Sequence, residues 1–185
     1  MTKRARILSA AVAVLIPLAV AFAQDPAAPA EAQPDRRIDL SKLASAQRFD
    51  FLIGDWTYEF TTGHGSTSYR RAAEGTIVEH LEPGFIRDRE FMAFSIFLHD
   101  PEAGWKQNWV DTLGNVLEGG GGMREYHDSD LPAMITEFTQ GGNKFRHVWY
   151  DIREDRFETD LFISMNDGAW RMIRRMPYLR KKGAP

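Results

Sequence analysis

Phe49-Asp50-Phe51-Leu52-Ile53-Gly54-Asp55-Trp56, running on into Thr57-Tyr58-Glu59-Phe60-Thr61-Thr62, is the stretch whose reading decides the fold. Its first half is a short apolar segment interrupted at Gly54. Its second half alternates polar and apolar residues with the period of two that a half-buried strand requires. A Gly-x-Trp that passes directly into a strand places a large indole at the closed end of a barrel, where the chain swings in.

Downstream, the alternation predicts strands near 56–62, 67–73, 76–82, 87–99, 105–112, 115–126, 133–140, 144–152, 156–164 and 170–178. The joints between them are Glu74-Gly75, Glu82-Pro83-Gly84, Asp100 to Gly104, Leu113-Gly114, His127 to Pro132, Gly141-Gly142-Asn143, Glu154-Asp155 and Asn166-Asp167-Gly168. Joints this short connect antiparallel neighbours, because parallel pairs need long crossovers. The expected fold class is therefore all-β: an antiparallel up-and-down meander of about ten strands, closed into a barrel so that no edge is left unpaired.

Upstream of the barrel, Ser41 is placed to cap a short helix through about Asp50, with Leu40, Leu43, Ala44 and Phe49 or Phe51 on its apolar side. This N-terminal helix is expected to plug one end. Residues 24–37 form an Ala- and Pro-rich linker without apolar periodicity, expected to be disordered. Residues 1–23 read as a signal peptide, with Lys3, Arg4 and Arg6 before an apolar run that ends at Ala21-Phe22-Ala23. The barrel domain is then 38–182, and the expected location is periplasmic or secreted.

The chain has no cysteine, which removes lipid attachment, disulfides and thiolate metal sites together. No stable membrane anchor is expected. The net charge is −3, and removing residues 1–23 makes it more negative. An acidic surface without long basic blocks argues against nucleic acid as a partner.

With the meander in place, Gly54-Asp55-Trp56 and the arginines of the last strand resemble the lipocalin-like, or calycin, superfamily. The resemblance implies that Gly54 and Trp56 open the first strand and that one of Arg174, Arg175 and Arg180 packs over the indole. The chain is also similar, over about residues 49–180, to a family of uncharacterised bacterial secreted proteins with a lipocalin-like domain. That likeness rests on FDFLIGDW, Gly75-Thr76-Ile77-Val78-Glu79-His80, Asp100 to Trp105 with Trp109, Ser164 to Trp170, and Tyr178-Leu179-Arg180. It implies a fold and supplies no activity.

The candidate ligand-binding residues are His80, Phe94, Trp109, His147 and Trp149, as imidazole and aromatic groups that would line a lumen. Strand 87–99 carries large apolar side chains on both faces, so its inward face is not decided by pattern. Gly119-Gly120-Gly121-Gly122 reads as a bulge or sharp bend, or as a place where another backbone comes close. His127-Asp128-Ser129-Asp130 reads as a turn, and no metal site is assigned. Nitrobindins, barrels of this general shape, hold haem through a histidine near the carboxyl end. No histidine follows His147, which leaves only that residue as an axial candidate, and no cofactor is expected.

Catalytic residues are not identified: there is no Gly-x-Ser-x-Gly elbow, cysteine nucleophile or His-Glu-x-x-His. Glu79 and His80 are neighbours on opposite faces of one strand and cannot act as a dyad; Glu118, Glu137 and Asp160 are the cross-strand partners open to His80. The expected function is binding of a small apolar or aromatic molecule in the lumen. The alternatives are an interaction or homodimerisation module with a filled lumen, and a histidine-dependent isomerase or hydrolase using the same cavity.

Overall fold

The computed structural model describes residues 36–61, 63–86 and 89–183, without the side chains of Phe85 and Ile86. The signal peptide and most of the expected linker lie outside the described residues. Ten strands follow in order: β1 (Gly54–Phe60), β2 (Gly63–Ala73), β3 (Thr76–Ile86), β4 (Arg89–Asp100), β5 (Gly104–Asp111), β6 (Val116–Arg124), β7 (Ala133–Gln140), β8 (Asn143–Tyr150), β9 (Arg156–Met165) and β10 (Arg171–Arg180). Each pairs antiparallel with its sequence neighbours, and β1 also pairs with β10, closing the barrel.

Two local expectations are corrected. Glu82-Pro83-Gly84 is not a joint: β3 continues to Ile86, with a register shift against β4 between Leu81 and Gly84. Such a bulge accommodates Pro83, which has no N–H for a regular ladder. It also brings Gly84 close to β2, where a Cβ would stand 2.7 Å from the His64 carbonyl oxygen.

The second correction concerns the plug, which is not one helix capped by Ser41. It is three 3-10 turns, Leu40–Lys42, Ser45–Gln47 and Asp50–Leu52. Asp39 caps the first, its carboxylate accepting from the Ser41 backbone N–H at 3.0 Å. Extended backbone at Leu43 divides the first turn from the second, and Ile53 leads the third into β1, letting Leu40, Phe49 and the adjacent Phe51 and Leu52 all reach the core.

Phe49 is the centre of the plug. Its ring meets Trp105 and Trp149 edge-on, each at 5.1 Å and 87°, and lies 5.0 Å from Phe97. The Trp105 indole N–H donates to the Ser45 carbonyl at 2.9 Å and that of Trp56 to the Leu52 carbonyl at 2.6 Å, so the barrel wall holds the plug by hydrogen bonds as well as by apolar burial.

The seam is short. β1 and β10 pair only through Trp56 with Arg180, Thr57 with Leu179, and Tyr58 with Tyr178. Arg180 reinforces it: the guanidinium lies 4.2 Å over the Trp56 ring, Nη1 donates to the Ile53 carbonyl at 3.0 Å and Nε to the Glu154 carbonyl at 2.7 Å. Gly54, at φ 139°, leaves room for it, since a Cβ there would fall on the guanidinium. Of the three candidate arginines, Arg180 covers the indole, while Arg174 and Arg175 do not. A bulge between Met172 and Arg174 sets the phase of β10, turning Arg174 into the lumen and Arg175 outward. Arg180→Met is expected to cost about 2 kcal/mol, combining a cation–π contact with charge-assisted hydrogen bonds. The urea midpoint reads it, and an unmoved midpoint would show that the clamp contributes nothing.

Outside the barrel, Tyr126 packs with Ala133, Ile135, Val148 and Tyr150 and donates through its hydroxyl to the buried Asp160 at 2.5 Å. Arg175 reaches the same carboxylate at 2.8 and 2.7 Å and also binds Asp128. This fastens the segment after β6 to β9 and β10. Asp128 thus serves an ion pair, and among the described residues no three His, Asp or Glu side chains come together at metal-ligand spacing.

Candidate functional site

Alternation along each strand sends one set of side chains into the lumen, and the plug fills only one end of it. Above the plug remains a cavity of about 300 Å³, open at the opposite end. By strand register, Glu79, Gln107 and the ladder partners Tyr58 and Tyr178 lie towards the filled end; Trp109, His147 and Met176 come next; Phe60, Phe91, Phe138, Phe145 and Arg174 stand towards the mouth. The lining therefore has a polar floor beneath a largely aromatic sleeve.

Of the residues expected to line it, Trp109 and His147 do. Trp149 is one step deeper, buried in the plug against Phe49, with its ring 3.9 Å from that of His147. His80 and Phe94 do not line the lumen: they oppose each other on the outer face, with Phe94 39% exposed. The cause is register. The adjacent pair in the same ladder, Glu79 with Ser95, faces inward, and a shift by one residue exchanges the faces. The outward position of His80 also removes it from the proposed cross-strand dyads within the lumen.

Glu79 is a site residue that the sequence pattern did not single out. It is buried, and its carboxylate accepts from the Tyr69 hydroxyl at 2.6 Å and more distantly from Thr67 at 3.4 Å, with Ser95 also bonded to it. Burial outweighs these three bonds and pushes its carboxyl up to about 7. The usable signal was Ile77-x-Glu79-x-Leu81, an acid within the apolar phase of β3.

Burial, with the Arg174 charge second, drives the imidazole of His147 down to about 3, so the ring is neutral throughout the physiological range. Its Nε2 is buried and has no hydrogen-bond partner among the described residues. Tyr58 is pushed up to about 12, chiefly by burial and then by Glu79, and Tyr178 well above its ordinary value for the same reasons. Both phenols therefore remain neutral donors.

Across the floor, Gln107 donates to the Ser95 hydroxyl at 3.2 Å and accepts from Thr136 at 2.9 Å. That second bond joins β5 to β7 over β6, and the glycines make it available. Gly119 and Gly121 face β7 so closely that a Cβ on either would collide with the Glu137 or Ile135 carbonyl. The pairing of β6 with both neighbours is regular, so the run marks close backbone approach and not a bulge.

Chemically, the cavity can desolvate a small molecule, orient it with neutral donors and one guanidinium, and exchange a proton at Glu79 near neutrality. Compared with known protein families and with curated proteins, the chain matches no family model and no curated sequence, so the functional reading rests on this geometry.

Proposed function

We propose that the protein binds a small, predominantly apolar or aromatic molecule in the barrel lumen. The observation that carries this reading is the blind cavity itself: a space at the small end of the range for ligand sites, with an aromatic sleeve and a buried imidazole nitrogen that lacks a partner among the described residues. Burial of apolar ligand surface at ~25 cal/mol per Å² supplies the affinity, and the polar floor supplies orientation. The Gly54, Trp56 and Arg180 arrangement supports placing the barrel with the calycins, and the basic and apolar N-terminal run supports export to the periplasm or beyond.

An acid–base enzyme is the second reading, favoured by Glu79 titrating near neutrality inside the same cavity. Homodimerisation through the outer face of β4 and β5, where Met92, Phe94 and Val110 are exposed, is compatible with either reading.

Native mass spectrometry of the protein recovered from the cell envelope, followed by denaturing release, tests the proposal. The expected result is a stoichiometric small molecule that is absent from Leu117→Trp, a variant that fills the upper cavity. A folded protein of bare sequence mass would overturn constitutive binding, and a dimer peak would establish the homodimer.

A further inference from the structure

The lumen has two chemically different walls. On the side of β1 and β10, the Arg174 guanidinium lies 4.5 Å over Phe60; Phe60 stacks on Tyr58 at 6.2 Å and 15°; and Tyr58 lies 5.3 Å from Tyr178. A cation and two phenols thus follow one another down a single wall. The Arg174 charge acts on Tyr58, His147 and Tyr178 alike, which places all three within its field. Among the described residues, Arg174 is the one cationic side chain lining the cavity.

The facing side is made of ring pairs. Phe91 lies parallel to Trp109 within 27° at 6.3 Å, and Phe138 to Phe145 within 17° at 5.7 Å, with Leu117 beside them. Near-parallel rings present flat surfaces, which suit another flat ring.

Resting on the reading of the lumen as a ligand site, we infer that the ligand is a small aromatic acid: a planar apolar body against the ring pairs, with a carboxylate or similar oxyanion on the wall of Arg174, Tyr58 and Tyr178. A carboxylate takes charge-assisted bonds from a guanidinium and is satisfied by phenolic donors, whereas an ammonium would face a like charge. The neutral His147 has a tautomer that offers its Nε2–H to the same group. Asp111, the acid at the mouth, is held within the β5–β6 turn and not on the wall of Arg174. Its oxygens are taken by the Trp109 indole, the Leu113 and Asn115 backbone N–H groups and the Asn115 amide within the β5–β6 turn. Glu79, at the floor, adds another donor while it holds its proton.

Titration calorimetry of the full-length barrel domain with benzoate, cinnamate and naphthoate, each beside its carboxamide and its aminomethyl counterpart, tests the inference at mildly acidic pH. At least one acid is expected to bind about tenfold or more tighter than its amide, a difference that a single charge-assisted contact supplies, and the amines are expected not to bind. Arg174→Met should erase the preference while amide binding persists, and Arg174→Lys, which keeps the charge without the planar fork, should retain part of it. Arg171→Met, on the exposed start of β10, should change nothing. Amides binding as well as acids, or an acid preference that survives Arg174→Met, would overturn the aromatic-acid inference and leave luminal binding standing. Binding of none of the compounds by the folded protein would overturn both.

Discussion

Gly121→Ala should remove most of the stability of the barrel. A methyl group there falls on the Ile135 carbonyl oxygen, and its neighbour in the ladder is Thr136. The new atom meets backbone, which cannot rotate away, so β6 and β7 must separate and the Thr136-to-Gln107 bond across them is lost. Backbone displacement of this kind belongs with the largest single-residue effects, above ~4 kcal/mol, against a total of ~5–15 kcal/mol for a typical domain. Gly122→Ala is the internal control. Its Cβ meets nothing within 4 Å, and exchange of glycine for alanine in a strand is expected to be neutral or slightly stabilising. Urea unfolding of the two variants should differ sharply, and equal midpoints would refute the close approach as the reason for the glycine run.

Glu79 governs the second large effect, which depends on pH. Its carboxyl titrates at about 7 in the folded protein and at the ordinary 4.5 once the chain unfolds. Below 4.5 both states hold the proton. Between the two values the folded state alone holds it, so stability falls as pH rises through this window and levels off above 7. The loss is on the order of 3 kcal/mol by linkage. Glu79→Gln keeps the shape and an acceptor for the Tyr69 hydroxyl but carries no proton to lose. Its stability profile should be flatter by that amount, matching wild type in acid and exceeding it in mild alkali. Parallel profiles across the window would show that Glu79 is not the group responsible.

These two residues also show what could be read from the chain. All ten strands were legible because alternation and short turn signals are local properties, and the closed meander followed from joints too short for crossovers. The lumen-facing phase was harder. In β4, Phe91, Ala93, Ser95 and Phe97 point in while Met92, Phe94 and Leu98 stand exposed, and hydrophobicity alone does not separate these sets. His80 and Phe94 were assigned to the lumen for that reason. Trp109 and His147 line the cavity, in phase with Gln107 on β5 and Phe145 on β8. The division of roles among Arg174, Arg175 and Arg180 depended on a bulge in β10, which leaves no signature in composition. Glu79 was missed because an acid within an apolar strand looks like a surface residue until its ladder partner, Ser95, is known.

The aromatic plug has a consequence for kinetics. With Phe49, Trp105 and Trp149 closing one end, whatever occupies the lumen arrives and departs by the same door, framed by short hairpin turns such as Gly141-Gly142. Under the proposed luminal binding, no second opening lets an incoming ligand push out a resident one from behind. Exchange then proceeds by complete departure before replacement, and the off-rate measured by dilution should equal the rate measured by chasing with excess competitor.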